Sequence, residues 1–196
     1  MSNTKTLIAA LAIAGASLGA GTAAAQVLAD AKIAVVDVER VMRDCTACVA
    51  ANTQLQTQRQ ALVTFAQQQG QPLQTEETAL QAALKAANGK PDTALATRIQ
   101  AFQTKQQTAQ QQFNDRQATF QRNVQFVQQQ IAQRMVPVIQ QIAQQRGATI
   151  AVSKESTLFS AATSEITDAV LTTLNQQLPG VSTTAPPPGQ QAAQQP

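Results

Sequence analysis

The sequence contains no histidine, no tryptophan and no tyrosine; its aromatic residues are six phenylalanines, and it has two cysteines. Without histidine there is no Ser-His-Asp triad, no imidazole proton shuttle and no zinc site built on imidazole. Charged residues make up only 13% of the chain, with a formal net charge of +3. Lysine and arginine form no dense cluster and are not interleaved with aromatics, so a nucleic acid is a poor partner. There is no Gly-rich loop of the kind that cradles phosphates. Glu76 and Glu77 are neighbours in sequence and do not share a helix face, so they are not a catalytic carboxylate pair. Ser153, Lys154 and Ser156 stand in a turn without an oxyanion-hole pattern. Neither an enzyme nor a metal or organic cofactor is expected.

Long apolar runs are scarce too. The one run, residues 7–20, follows Lys5 and precedes Ala23-Ala24-Ala25, the layout of a secretory signal with a small-x-small cleavage site. It is short for a membrane span. Residues 1–25 are therefore expected to be a signal peptide, cleaved near Ala25, and the chain to be exported.

What the sequence has in quantity is glutamine, concentrated in residues 46–146. Gln, Ala, Leu, Lys and Arg are good helix formers, and over so long a window their sum is informative. Apolar residues recur there at helical spacing. Leu55, Leu62, Ala66, Leu73, Leu80, Ala83 and Ala87 form one stripe. Leu95, Ile99, Phe102, Ala109, Phe113, Phe120, Val124, Val127, Ile131, Val138 and Ile142 form another. Between them Asn88-Gly89-Lys90-Pro91 signals a turn, and Asp92 or Thr93 can cap the second helix. The expectation is an antiparallel helical hairpin over 46–146 with its tip at 88–92. Pro72 and Pro137 should bend its helices. Many seam positions hold Gln or Ala, so the arm is thinly packed: either a solvated spacer or a flexible arm that touches something soft. Lys85, Lys90, Arg98, Lys105, Arg116 and Arg122 make it mildly basic, which suits an acidic partner or a negatively charged membrane surface.

The ends of the chain complete an α+β architecture. Residues 32–38 are apolar and rich in β-branched side chains and read as a buried strand, with a helix starting at Glu39. Arg146-Gly147 stops the hairpin. Residues 148–152 read as a second strand and 157–160 as a short third. Thr167 is the expected N-cap of a last helix with Val170, Leu171, Leu174 and Leu178 on its apolar face. Residues 26–45 and 147–178 thus make a small β body, into which the hairpin is one long insertion. So small a sheet has open edges, and self-association is the economical remedy. Ile33, Val35, Val36, Ile150, Val152 and Leu158 are the expected oligomer contacts. Residues 179–196, with Pro186-Pro187-Pro188 and a Gln/Ala end, are expected to be disordered, as a tether or an inert tail.

Cys45-Thr46-Ala47-Cys48 is the one chemical motif. Thioredoxin-like chemistry would need a surrounding βαβ pattern, which is missing, and two thiols alone are an incomplete metal site. A structural disulfide, within or between subunits, is the leading reading.

The strand at 32–38, the long hairpin, and the segments QQRGATIAVSKESTLFSAATSEITDAVLTTLN at 144–175 together resemble the Skp (OmpH-like) periplasmic chaperones of Gram-negative bacteria. The resemblance covers about residues 30–178. It implies a homotrimer whose β body holds three hairpin tentacles around a cavity. It implies an ATP-independent holdase for unfolded outer-membrane β-barrel proteins. On that reading Phe102, Phe113 and Phe120 either pack the seam or form a client-contact stripe. The basic residues named above would then assist capture, and an anionic lipid or lipopolysaccharide surface is a further candidate partner. The arms here are Gln-rich where the family's are usually richer in Lys and Arg, and the cysteine pair is a second departure. The competing reading is a non-catalytic coiled-coil docking module of an envelope complex.

Overall fold

The computed structural model describes residues 30–187. The expected signal peptide, and residues 188–196 of the tail, lie outside the described residues. In chain order the elements are β1 (Ile33–Val36), α1 (Val38–Asp44), α2 (Thr46–Ala86), α3 (Thr93–Gln145), β2 (Ile150–Ser153) and α4 (Thr167–Gln177). Short 3-10 turns occupy Lys154–Ser156 and Ala162–Ser164.

β1 and β2 pair in parallel, with Ile33 opposite Ile150 and Val36 opposite Ser153. A parallel pair needs a long crossover, and here the crossover is the whole hairpin. The third strand expected at 157–160 is not formed. Leu158 and Phe159 stand in solvent in an irregular segment, and the other edge of β1 is instead touched by Glu165 and Ile166, whose N–H donates to Val35 O at 2.8 Å. A single bridge close to α4 occupies the outer edge of β1, and the 157–160 run pairs with neither strand of the two-stranded sheet.

Each helix boundary has a chemical cause. The Asp37 carboxylate accepts from Arg40 N–H at 2.7 Å and starts α1. Asp92 accepts from Leu95 N–H at 2.7 Å and starts α3. The intervening turn places Asn88 (φ 51°) and Gly89 (φ 74°) in the left-handed region that these two residue types tolerate best. At the end of α3, Gly147 has φ 70°. Gly147 N–H donates to Gln144 O and Ala148 N–H to Ala143 O, the two reversed bonds of a Schellman stop. The expectation for Thr167 needs correction. It is the first residue of α4 rather than its cap, is buried, and its Oγ1 accepts from Asp37 N–H at 2.9 Å. The hydroxyl is committed to the β1–α1 junction and so is not free for its own helix.

α2 is 41 residues long and α3 53, and both continue through their internal prolines, Pro72 and Pro137. All the stripe residues expected along the two helices are buried or half-buried. The main core lies at the base of the hairpin, where α1 and α4 pack on it; Val41, Val138, Val170 and Leu174 are completely buried. A second, small core of Leu80, Leu95 and Phe102 lies near the tip.

Candidate functional site

Between those two cores the hairpin is open. From Leu55 to Leu80 on α2, and from Phe102 to Asn123 on α3, no residue in between is buried. At 1.5 Å per residue the α2 stretch is about 37 Å long. Gln58, Ala66, Gln69, Ala109 and Gln112 are interspersed there with apolar residues, and Leu62, Leu73, Phe113 and Phe120 are left only half-buried. Grooves result. One of about 450 Å³ is lined by Gln58, Leu62, Arg116, Thr119, Phe120 and Asn123. Another of about 400 Å³ lies at Pro72, Leu73, Glu76 and Lys105. A smaller one, about 240 Å³, is lined by Phe65, Ala66 and Phe113.

The three phenylalanines singled out in the sequence are thus separated. Phe102 is buried in the distal core, whereas Phe113 and Phe120 are half-buried walls of the open grooves. The six basic residues divide as well. Lys85, Lys90 and Arg98 are exposed near the tip and, among the described residues, take part in no ion pair. Lys105 Nζ bridges the two helices to Glu76 at 2.7 Å. The Arg116 guanidinium stacks on Phe65 across the hairpin, 4.2 Å from the ring centre. Arg122 folds along its own helix, its Nη2 donating to Thr119 Oγ1 at 3.1 Å. So the tip carries cations outside ion pairs, while in the middle Lys105 and Arg116 tie the two helices together and Arg122 stays on its own helix.

In the body, Val35 and Val36 are buried within the protomer and Val152 is half-buried. Ile33 and Ile150, paired across the sheet, are 50% and 46% exposed, and Leu158 and Phe159 are almost fully exposed. Those four are the exposed large apolar side chains of the body. Cys45 and Cys48 are joined in a disulfide at the α1–α2 corner, both buried, and Cys48 N–H donates to Cys45 Sγ at 3.0 Å. The surface turns beside the sheet are fixed by charge. The Lys154 ammonium donates to Glu165 at 2.8 Å, which holds the Glu165 carboxyl below its usual range and raises Lys154 above its own. Glu155 is held low chiefly by a hydrogen bond from Ser153.

The tail departs from expectation. Residues 179–187, expected to be disordered, are placed against the base of the hairpin. Leu178 and Thr183 are buried and Val181 packs on the main core. Ser182 N–H donates to Gln130 Oε1 at 3.0 Å, and Gln130 Nε2 donates back to Ser182 O at 2.8 Å. Gln58 Nε2 donates to Thr183 O at 3.0 Å, and Ala185 N–H donates to Asn123 Oδ1 at 2.9 Å. Asn123 Nδ2 in turn donates to Gln58 Oε1 at 2.8 Å, and Thr183 Oγ1 to Gln54 Oε1 at 2.7 Å. Low hydrophobicity argued for disorder, but side-chain amides supply the partners that an apolar core would not. A signal for it exists in the sequence: Asn123 is a polar residue beside seam positions, between Phe120 and Val127, and Val181 is an isolated apolar residue in a polar tail.

Comparison with known proteins agrees with this architecture. No curated protein matches the sequence. Among solved structures, the fold is similar to the crystal structure of a candidate outer membrane chaperone (OmpH-like) from Caulobacter crescentus, with a TM-score of 0.68 at 21% identity, covering 84% of this chain and 95% of that one. The family described as outer membrane protein (OmpH-like) matches residues 32–174, from the threshold of β1 into α4. That stretch holds nearly all of the folded body and the whole hairpin, and the chain belongs to the OmpH-like family.

Proposed function

We propose that this protein is a periplasmic holdase: an ATP-independent chaperone that keeps unfolded outer-membrane β-barrel proteins soluble between helical arms. The observation that carries the reading is the open middle of the hairpin. Two long helices are clamped at the base and again near the tip, and between the clamps they present grooves of mixed amide, apolar and cationic lining. Such a surface offers many weak contacts and no single deep pocket, which suits an unfolded chain of no fixed shape. With few buried groups in the middle, the helices separate or approach at low cost. No step requires nucleotide or a catalytic residue.

The arms need a frame. We assign it to a homotrimer formed through the body, where Ile33, Ile150, Leu158 and Phe159 leave apolar surface that a lone protomer cannot cover. Export follows from the signal-like residues 1–25. The test is aggregation. Diluting a urea-denatured β-barrel protein into buffer with the full chain and no nucleotide should suppress light scattering in proportion to chaperone trimers. Unchanged scattering at a molar excess would overturn the holdase reading and leave a structural role in the envelope.

A further inference from the structure

We propose that Gln58, Asn123 and Gln130 form a site that reads the main chain of an extended polypeptide, and that tail residues 182–185 occupy it in cis until an unfolded chain displaces them. This rests on the holdase reading for the identity of the displacing chain, though not for the existence of the site.

Side chains anchor part of the tail, Val181 on the main core and Thr183 in a buried position, but the amides of the hairpin reach residues 182–185 chiefly through the backbone. The three amides engage four main-chain groups: Ser182 N–H and O, Thr183 O, and Ala185 N–H. The one tail side chain in direct contact with an amide is Thr183, through Gln54. Gln130 grips both the N–H and the O of a single residue, as a neighbouring strand does in a sheet, and that mode of recognition is indifferent to sequence. Asn123 is 6% exposed; its Nδ2 is satisfied by Gln58 within the hairpin, but its Oδ1 is satisfied by Ala185 N–H of the tail. An emptied site leaves Asn123 Oδ1 and its neighbours seeking partners, a cost that favours some occupant over none. Every residue of an unfolded chain except proline carries the same N–H and O groups.

Direction and continuity support displacement. Tail numbers rise as the partner moves from Gln130 to Asn123 on α3, so the tail runs from the base toward the tip. Gln58 and Asn123 also form the near wall of the 450 Å³ groove, which continues tipward past Ala185. The tail's next residues are prolines, which have no N–H to offer. It therefore lies at the basal end of the groove without lining it, and stops supplying donors just where a longer, ordinary chain would go on. Val181 anchors the tail by its side chain, and beyond it the amide contacts fall mainly on the backbone, as a placeholder for arbitrary clients requires.

Two measurements on the purified protein test the proposal. The first is fluorescence anisotropy with a labelled ten-residue Ala/Thr peptide, against the full chain and a chain ending after Val181, which keeps the apolar contact of that residue. The shortened chain should bind the peptide at least tenfold more tightly. Gln130→Met in the shortened chain should lose about tenfold, as two ordinary hydrogen bonds disappear, and a peptide N-methylated at alternate residues should not bind. Equal binding by both chain lengths, or by both peptides, overturns the site. The second is amide exchange in the full chain, which stands even if the shortened chain folds poorly. Ser182 and Ala185 should be protected, should lose protection in Gln130→Met, and should exchange faster when a urea-denatured β-barrel client is bound. A client that suppresses scattering while leaving Ser182 and Ala185 protected overturns displacement and leaves the holdase standing. Peptide binding to the shortened chain with no client binding at all leaves the site standing and removes the holdase.

Discussion

At the scale of single residues, a few side chains fix corners rather than fill volume. The Cys45–Cys48 disulfide closes a loop of only a few residues, with a sequence separation of 3. Chain-entropy arguments give about 2 kcal/mol for so short a loop. Replacing both cysteines by alanine should lower the unfolding free energy by about that amount, read as a lower urea midpoint at an unchanged slope. Gly147 needs its positive φ to end α3, and nothing lies within 4 Å of a Cβ built there. Gly147→Ala should therefore cost about 1 kcal/mol from backbone strain alone, again visible as a shifted urea midpoint. The Lys154–Glu165 pair sets the response to pH. Glu165 titrates below its ordinary 4.5 in the folded chain, so its stabilisation is present above that value and is lost as acid carries the solution through the lowered one. Lys154 titrates above its ordinary 10.5, so its share is present below that value and fades as pH rises through the raised one. With no histidine in the chain, the melting temperature should be flat from about pH 6 to 9. A step within that range, measured by circular dichroism, would contradict this assignment.

At the scale of elements, the hairpin is two clamps and a gap. The distal clamp depends on Phe102, 7% exposed and packed with Leu80 and Leu95. Truncating a buried phenylalanine to alanine typically costs about 3–5 kcal/mol. Here the loss should fall on the tip and spare the base, because the two cores share no residue. Hydrogen exchange of Phe102→Ala should therefore show faster opening near the tip, with the base around Val127 and Val138 still protected. Uniformly accelerated exchange would mean that the hairpin is one cooperative unit.

For the whole molecule, the exposed pair Ile33–Ile150 and the loop at Leu158 and Phe159 are the apolar surface to which the proposed trimer is assigned. Val35, already inside the protomer, is a poor probe, since a charge there disrupts the fold itself. In the proposed trimer, Ile150→Asp or Leu158→Asp should instead cause dissociation, seen by sedimentation, while the helical circular dichroism signal persists. Client capture should also depend on salt in a divided way. Lys85, Lys90 and Arg98 are exposed near the tip, and surface charges are screened over about 8 Å at physiological ionic strength. On the proposed holdase reading, the association rate with an acidic unfolded client should fall as salt rises, whereas the capacity to suppress aggregation, assigned to groove contacts such as Phe113 and Phe120, should persist.

The helices were legible because their causes are local: the 3.6-residue spacing of Leu55 to Ala87 and of Leu95 to Ile142, the Asp92 cap, the turn at Asn88 and Gly89, and the stop at Gly147. The two paired strands were legible for the same reason, as short β-branched runs. Tertiary structure alone decided the rest. The segment at 157–160 has strand-like residues and yet forms no strand: a strand exists only through a partner, and this segment pairs with neither β1, whose outer edge takes the bridge to Glu165, nor β2. The tail, polar and proline-rich, has no local preference for order; it is ordered by amides that lie more than fifty residues away along the chain on Gln58, Asn123 and Gln130. The amphipathic stripes announce that the helices pack, but not that the packing lapses between Leu55 and Leu80. That depends on which glutamines of α2 face α3, and on how far apart the two clamps hold the backbones.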